Sequence, residues 1–225
     1  MNIIAILPIK YHSERIPQKN TRLFNDYPLF YYIIDTLQSS NLIRSIIIDT
    51  DSSHIEKEAN RVFSKVRIII RPEHLQGDHV SMNEIIAYDI SQIDGEHFLQ
   101  THCTNPLLTI STLDHAIHEY FHSLEDYDSL FSVTPFQSRF YFESGKPINH
   151  DPSELLRTQD LAPLYEENSN FYIFSKQSFQ TAGNNRIGNK PKMFPMNPLE
   201  AIDIDEEEDF QLAQCVQHLQ KIGKI

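Results

Sequence analysis

The sequence predicts an α/β fold: a doubly wound, mostly parallel sheet with helices on its faces. Three observations lead there. Short, apolar, β-branched runs recur along the chain, amphipathic stretches of helix length separate them, and the alternation of the two implies right-handed crossovers between parallel strands. Residues 3–7 form a continuous apolar run that stops at Pro8, so a buried first strand is expected. Residues 29–38 read as an amphipathic helix, 45–48 as a strand, and 52–63 as a helix opening on Ser52 and Ser53, with Glu56 at a capping-box position. A strand at 66–70, a helix at 80–90, a strand at 97–100, a helix at 111–122 and a strand at 129–133 continue the rhythm. After Pro135 it breaks. Phe136, Phe140, Tyr141 and Phe142 crowd together and Gly145-Lys146-Pro147 marks a turn, before a strand returns at 170–174 and a closing helix at 206–220.

With 225 residues, 40% of them hydrophobic, the chain can bury one good core, and nothing in it marks a boundary between independent domains. A single domain over 1–225 is expected, with 135–168 as an insertion whose aromatic excursion is either a hairpin folded onto its own core or, as the favoured reading, a surface that a second copy covers. The two cysteines, Cys103 and Cys215, lie far apart, which excludes a disulfide framework or a thiolate zinc site and fits a reducing compartment. The apolar N-terminal stretch is too short for a membrane span and lacks a basic flank and cleavage site. A cytoplasmic protein without a membrane partner is therefore expected. The net charge of −12 argues against a nucleic-acid partner, because affinity for a phosphate backbone comes from many Lys and Arg residues.

Any anionic ligand must be bound locally, and residues 10–22 offer the place: Lys10, Arg15, Lys19 and Arg22 stand against Glu14 alone. In an open α/β sheet this loop, directly after the first strand, opens onto the ligand crevice. It contains no glycine, so it is neither a Walker loop nor a dinucleotide fingerprint, and side chains must bind the anion. At the other end of the chain stands Ile202-Asp203-Ile204-Asp205, followed by four more acids. As a strand it would aim Asp203 and Asp205 one way and the isoleucines the other, shaping a pair of oxygen ligands for Mg²⁺ beside substrate phosphates. The same run also reads as a strand end and an acidic helix start, with Asp205 as the cap.

Several segments, in order, resemble the cytidylyltransferases that activate sialic acids and related nonulosonates. They are Pro8-Ile9-Lys10 with Ser13, Ile16-Pro17-Gln18-Lys19-Asn20 and Arg22; Arg71-Pro72-Glu73-His74-Leu75; Leu99-Gln100 to Thr104-Asn105-Pro106-Leu107; Arg157-Thr158-Gln159-Asp160; Glu167-Asn168-Ser169 with Tyr172; and 202–209. The resemblance implies a nucleotidyltransferase fold of the GT-A or Rossmann-like type and transfer of CMP from CTP to the anomeric hydroxyl of a nine-carbon 2-keto sugar acid, assisted by Mg²⁺ or Mn²⁺. It further implies a homodimer, with 135–168 serving dimerisation or the sugar site. Lys19, Arg157 and Asp205 would be catalytic, and Asp203 and Asp205 would hold the metal. Pro8, Lys10, Ser13, Arg15, Lys19, Asn20, Arg71 and Ser81 would bind the nucleotide. Gln100, His102, Thr104, Gln159, Asn168 and Tyr172 would line the sugar side. Read without the family, Asn20 and Ser81 are equally caps or turn residues, Arg71 precedes a proline turn, and Tyr172 fits a core.

Two departures from the family pattern stand out. Lys10 replaces the family's first arginine, exchanging a bidentate fork for a point charge, and Ser13-Glu14-Arg15-Ile16-Pro17 is spelled like the enzymes that activate the eight-carbon acid KDO. The family's pocket glutamine falls on His102, with Gln100 two residues earlier on the same strand face, which suggests a modified nonulosonate such as legionaminic acid. The competing readings are a KDO cytidylyltransferase, a GT-A glycosyltransferase, which also uses a D-x-D, and a catalytically silent nucleotide-binding protein.

Overall fold

The computed structural model describes residues 2–13, 15–77 and 79–224. Strand β1 (Ile3–Ile9) leads through a short hairpin, β2 (Leu23–Phe24) and β3 (Tyr27–Pro28), into α1 (Leu29–Ser39). Then come β4 (Ile43–Thr50), α2 (Ser53–Val62), β5 (Val66–Ile70), α3 (Met82–Ser91), β6 (His97–Thr101), α4 (Ile110–His122) and β7 (Ser129–Phe136). The chain closes with β8 (Leu164–Ser175), α5 (Lys176–Thr181), β9 (Pro191–Pro195) and α6 (Glu207–Lys221). Seven strands make one sheet in the order β5-β4-β1-β6-β8-β7-β9, parallel throughout except that β8 runs against both its neighbours. The predicted α/β class, mostly parallel, is the observed one.

Both faces are covered because β1 alternates. Ile3, Ala5, Leu7 and Ile9 join the core under α1, α2 and α4, whereas Ile4 and Ile6 join the core under α3 and α5. Helix starts follow their caps. Ser52 Oγ accepts from Ile55 N at 3.3 Å to open α2, and Ser81 forms a reciprocal capping box with Glu84 to open α3.

A third cluster matters most for function. Ile16 from the cationic loop and Ile204 from the acidic run are both buried among Phe24, Leu29, Leu107 and Phe210. Burying each side chain contributes roughly 2–3 kcal/mol, so one apolar cluster fixes two segments that are remote in sequence. The expected strand at 202–205 does not form. Ile204 N instead donates to Thr104 O at 2.9 Å, so the segment crosses the end of β6 as an extended loop; β9, which was not foreseen, takes the edge of the sheet. The β7–β8 ladder holds residues 133–136 against 164–167, so the excursion beyond the sheet spans 137–163.

Behind the sheet's carboxyl edge lies a buried acid pair. Asp49 on β4 and Asp89 on α3 are fully buried, and neither Asp49 Oδ2 nor either Asp89 oxygen meets an established donor. Asp89 resolves this by staying protonated and donating a hydrogen bond to Asp49: burial first, and the neighbouring Asp49 charge second, push its carboxyl up to about 9. A carboxyl raised above its unfolded value stabilises the fold fully below that unfolded value and loses the contribution as pH climbs toward the folded one. Relative to Asp89→Asn, the wild type is thus expected to lose on the order of 1 kcal/mol of stability per pH unit between about pH 5 and 8. Urea denaturation across that range checks it, and parallel slopes for the two proteins contradict it.

Candidate active site

From β1 the chain winds outward to β4 and β5, then returns to β6 on the other side of β1. At that reversal the carboxyl ends of β1, β5 and β6 enclose a cleft of about 300 Å³. The first loop lines it with Pro8, Lys10, Ser13, Arg15, Lys19 and Asn20; Arg71 enters after β5; His102, Cys103 and Thr104 enter after β6. Gly77, Val80, Met82 and Ile85 close the remaining wall. Nine sequence-predicted residues therefore share one cleft, whereas Ser81 caps α3 between two lining residues.

The loop is built to hold its cations without glycine. Gln18 takes a left-handed φ of 53°, which costs about 1 kcal/mol for a residue with a side chain. The strain is offset locally, since Gln18 O accepts from Thr21 N at 3.0 Å and Arg22 N at 2.9 Å. This tight turn tucks Lys19 inward. Asn20 Nδ2 donates to Lys10 O at 2.9 Å, stapling the two limbs of the loop, and Tyr11 N donates to Asp51 Oδ1 at 2.7 Å to tie the loop to the end of β4. Arg22 plays another part: it forms a bidentate pair with Glu207 at 2.5 and 2.8 Å and covers the Phe210 ring, so it anchors α6.

The cationic loop and the acidic run meet. Lys19 Nζ donates to Ile204 O at 2.6 Å and lies 3.8 Å from Asp205 Oδ1, while Arg15 Nη2 donates to that same oxygen at 2.6 Å. Arg15 also reaches Glu206 at 3.4 Å. Burial lowers the pKa of Lys19, with the Asp205 and Asp203 charges opposing the shift. Asp203 shows the converse: burial raises its pKa against a hydrogen bond from Thr104, and its Oδ1 is buried with no hydrogen-bond partner among the described residues. An orphaned buried carboxylate oxygen two residues from an ion-paired carboxylate is a donor set that fits a hard divalent cation. Among the described residues no cage of three or more acidic, His or Cys side chains exists, so such an ion would complete its shell with substrate oxygens and water.

Arg71 is held from behind. It ion-pairs Asp49 through Nε, donates from Nη2 to Asp49 O at 3.3 Å, and accepts at its carbonyl from Gln76 Nε2 at 2.9 Å. The acid pair of Asp49 and Asp89 thus underlies an arginine that lines the cleft, and local sequence pattern carries no sign of that pair. Neutral Cys103 supplies apolar wall, its thiol pushed up to about 12 by burial.

Of the residues expected to line a sugar site, Gln100 and Tyr172 are fully buried, and Gln100 Nε2 lies 3.0 Å from His102 Nε2. Burial first, with Arg186 and Lys19 adding to it, lowers His102 to about 3, so its ring is neutral and accepts from Gln100. Asn168 bonds Thr134 Oγ1 at 3.0 Å and the Asn170 N–H at 3.2 Å, supporting a bulge in which Ser169 adopts φ 56°. Arg157 and Gln159 do not line the cleft of their own chain. Arg157 pairs with Asp160 at 2.7 Å on the exposed arm.

A doubly wound sheet whose switch point gathers such a cluster of cationic side chains places the protein among the nucleotidyltransferases. The chain belongs to the cytidylyltransferase family, whose model, described as Cytidylyltransferase, matches residues 4–222. It is 26% identical to the N-acylneuraminate cytidylyltransferase of Escherichia coli O18:K1:H7 over 99% of this chain and 54% of that protein. It is 27% identical to the CMP-N,N'-diacetyllegionaminic acid synthase of Legionella pneumophila, over 97% of each. The chain spans about half the length of some relatives, such as the Escherichia coli and Danio rerio N-acylneuraminate enzymes. Among solved structures, CMP:2-keto-3-deoxy-manno-octonic acid synthetase complexed with CTP superposes with a TM-score of 0.71 at 9% identity, covering 98% of this chain and all of that one.

Proposed function

We propose that the protein transfers CMP from CTP to the anomeric hydroxyl of a nine-carbon 2-keto sugar acid, giving the CMP-sugar and pyrophosphate. One observation carries this reading: Lys19 and Arg15 meet Asp205 at the mouth of the cleft where a triphosphate would lie. The anomeric oxygen forms a bond to the α-phosphorus as the bond to the pyrophosphate oxygen breaks, and such a transfer depends on positioning and charge stabilisation. Lys19 faces the charge that develops on the α-phosphate and leaving group, Lys10 and Arg15 hold the outer phosphates, and Arg71 orients the nucleotide. Asp203 and Asp205 would hold Mg²⁺, or Mn²⁺ in its place, which when bound neutralises phosphate charge. Arg15 then exchanges Asp205 for phosphate, a small cost for an exposed pair.

The arm at 137–163 exposes Phe142, Leu155 and Leu156, with Leu155 at 95% exposure. Such an apolar surface supports a homodimer, and light scattering at micromolar concentration is expected to give twice the chain mass; a monomer contradicts it. No described helix is long and apolar enough to cross a membrane.

The functional test crosses the four nucleoside triphosphates with sialic, legionaminic, pseudaminic and KDO acids and reads pyrophosphate release. Release with CTP and a nonulosonate, dependent on a divalent ion, supports the proposal. Release with KDO alone moves the protein to the eight-carbon branch. Tight CTP binding with no release supports the silent protein, and sugar-nucleotide turnover supports the glycosyltransferase.

A further inference from the structure

Two of the six residues expected on the sugar side, Gln100 and Tyr172, have no exposed surface of their own. Both hold a third residue. Arg186, in the loop after α5, stacks its guanidinium 3.7 Å from the centre of the Tyr172 ring and donates from Nη1 to Gln100 Oε1 at 2.6 Å. Its backbone N–H reaches Asn83 Oδ1 at 3.4 Å on α3, which fixes the loop that carries it. The orientation of Gln100 is set independently: its Nε2 faces Thr101 O at 2.9 Å and His102 Nε2 at 3.0 Å, leaving Oε1 to accept from the arginine. Through His102, this chain of contacts runs into the cleft.

What Arg186 lacks is a direct ion-pair partner: the Glu167 carboxylate, which accepts from the Tyr172 hydroxyl, acts on it only at longer range. Among the described residues no Asp or Glu forms an ion pair with it, in contrast to Arg15, Arg22, Arg71 and Arg157. A neutral amide, an aromatic face and a carboxylate beyond ion-pair distance leave this part-buried guanidinium without a direct counter-charge, and its remaining N–H donors suit a planar carboxylate. The phosphates already have Lys10, Arg15 and Lys19 around them. We infer that Arg186 is the specificity-determining residue of the acceptor site and binds the carboxylate of the sugar acid, while Gln100 and Tyr172 position its guanidinium. This rests on the function proposed above.

The test compares wild type, Arg186→Gln and Arg186→Lys with the sugar acid that the wild type turns over and with the carboxamide of that acid. In Arg186→Gln the KM for the acid is expected to rise about 10–100-fold, the range of a charge-assisted hydrogen bond, with the KM for CTP within about twofold. Arg186→Lys, which keeps a cation on the Tyr172 face, is expected to recover part of the loss. The wild type is expected to prefer acid to carboxamide, and Arg186→Gln to lose that preference. An acid KM that is unchanged or improved in Arg186→Gln overturns the assignment, as does a KM for CTP that rises in step with it. If wild type turns over no sugar acid, the proposed function itself fails, and direct titration with the acids then shows whether the carboxylate site survives it.

Discussion

Lys19→Met is expected to lower kcat by about 10²–10³-fold, the scale of removing one preorganised donor from developing charge. The lysine is buried to 9% residual exposure, which strengthens its field at a phosphate and makes its ammonium costly to leave unpaired. Methionine keeps the packed stem, so the fold loses mainly the bond to Ile204 O, about 1 kcal/mol. Burial also lowers the Lys19 pKa. Catalysis needs the charged form, so kcat is expected to fall on the alkaline side as that ammonium deprotonates, and the limb should vanish from the residual activity of Lys19→Met. Steady-state rates across alkaline pH check both statements; a kcat within tenfold of wild type contradicts the role.

The two aspartates are expected to separate activity from stability. Asp205→Asn should abolish turnover with the fold intact, because the Asp205 side chain is 46% exposed and its partners Arg15 and Lys19 have other supports. Asp203→Asn should abolish turnover as well, yet stabilise the ligand-free protein by about 1 kcal/mol, since it removes the charge of a part-buried carboxylate whose buried Oδ1 has no partner among the described residues. Because burial raises the Asp203 pKa, its carboxyl stabilises the fold fully below the unfolded value and costs stability as pH rises through the folded one. The gain from Asp203→Asn should therefore be visible at neutral pH and shrink in acid. Thermal melting with and without divalent ion measures this, and retained turnover in either variant returns the pair to a structural part.

Much of this was legible because period and order carry it. The alternating strands and helices set the sheet, and the placement of β1 ahead of a cationic, glycine-free loop set the cationic wall of the cleft. The acidic run was legible as chemistry but not as shape: Ile202 and Ile204 alternate like a strand, yet Ile204 is claimed by the Ile16 and Phe210 cluster, so no ladder forms. Asp49 and Asp89 escaped notice because each stands singly in an apolar element, and only the fold brings them together behind Arg71. Arg186 gave no signal at all, lying in a polar loop 86 residues from the glutamine that it meets. Pairings across the sheet are tertiary facts, and local pattern does not contain them.

Titration calorimetry of CTP and CMP against the protein with Mg²⁺ present tests the shared grip on the triphosphate most directly. If the first loop and the acidic run close on the outer phosphates, CTP binds at least about 100-fold more tightly than CMP, and Lys10→Ala combined with Arg15→Ala removes most of that gap. Equal affinities of wild type for CTP and CMP would contradict the account.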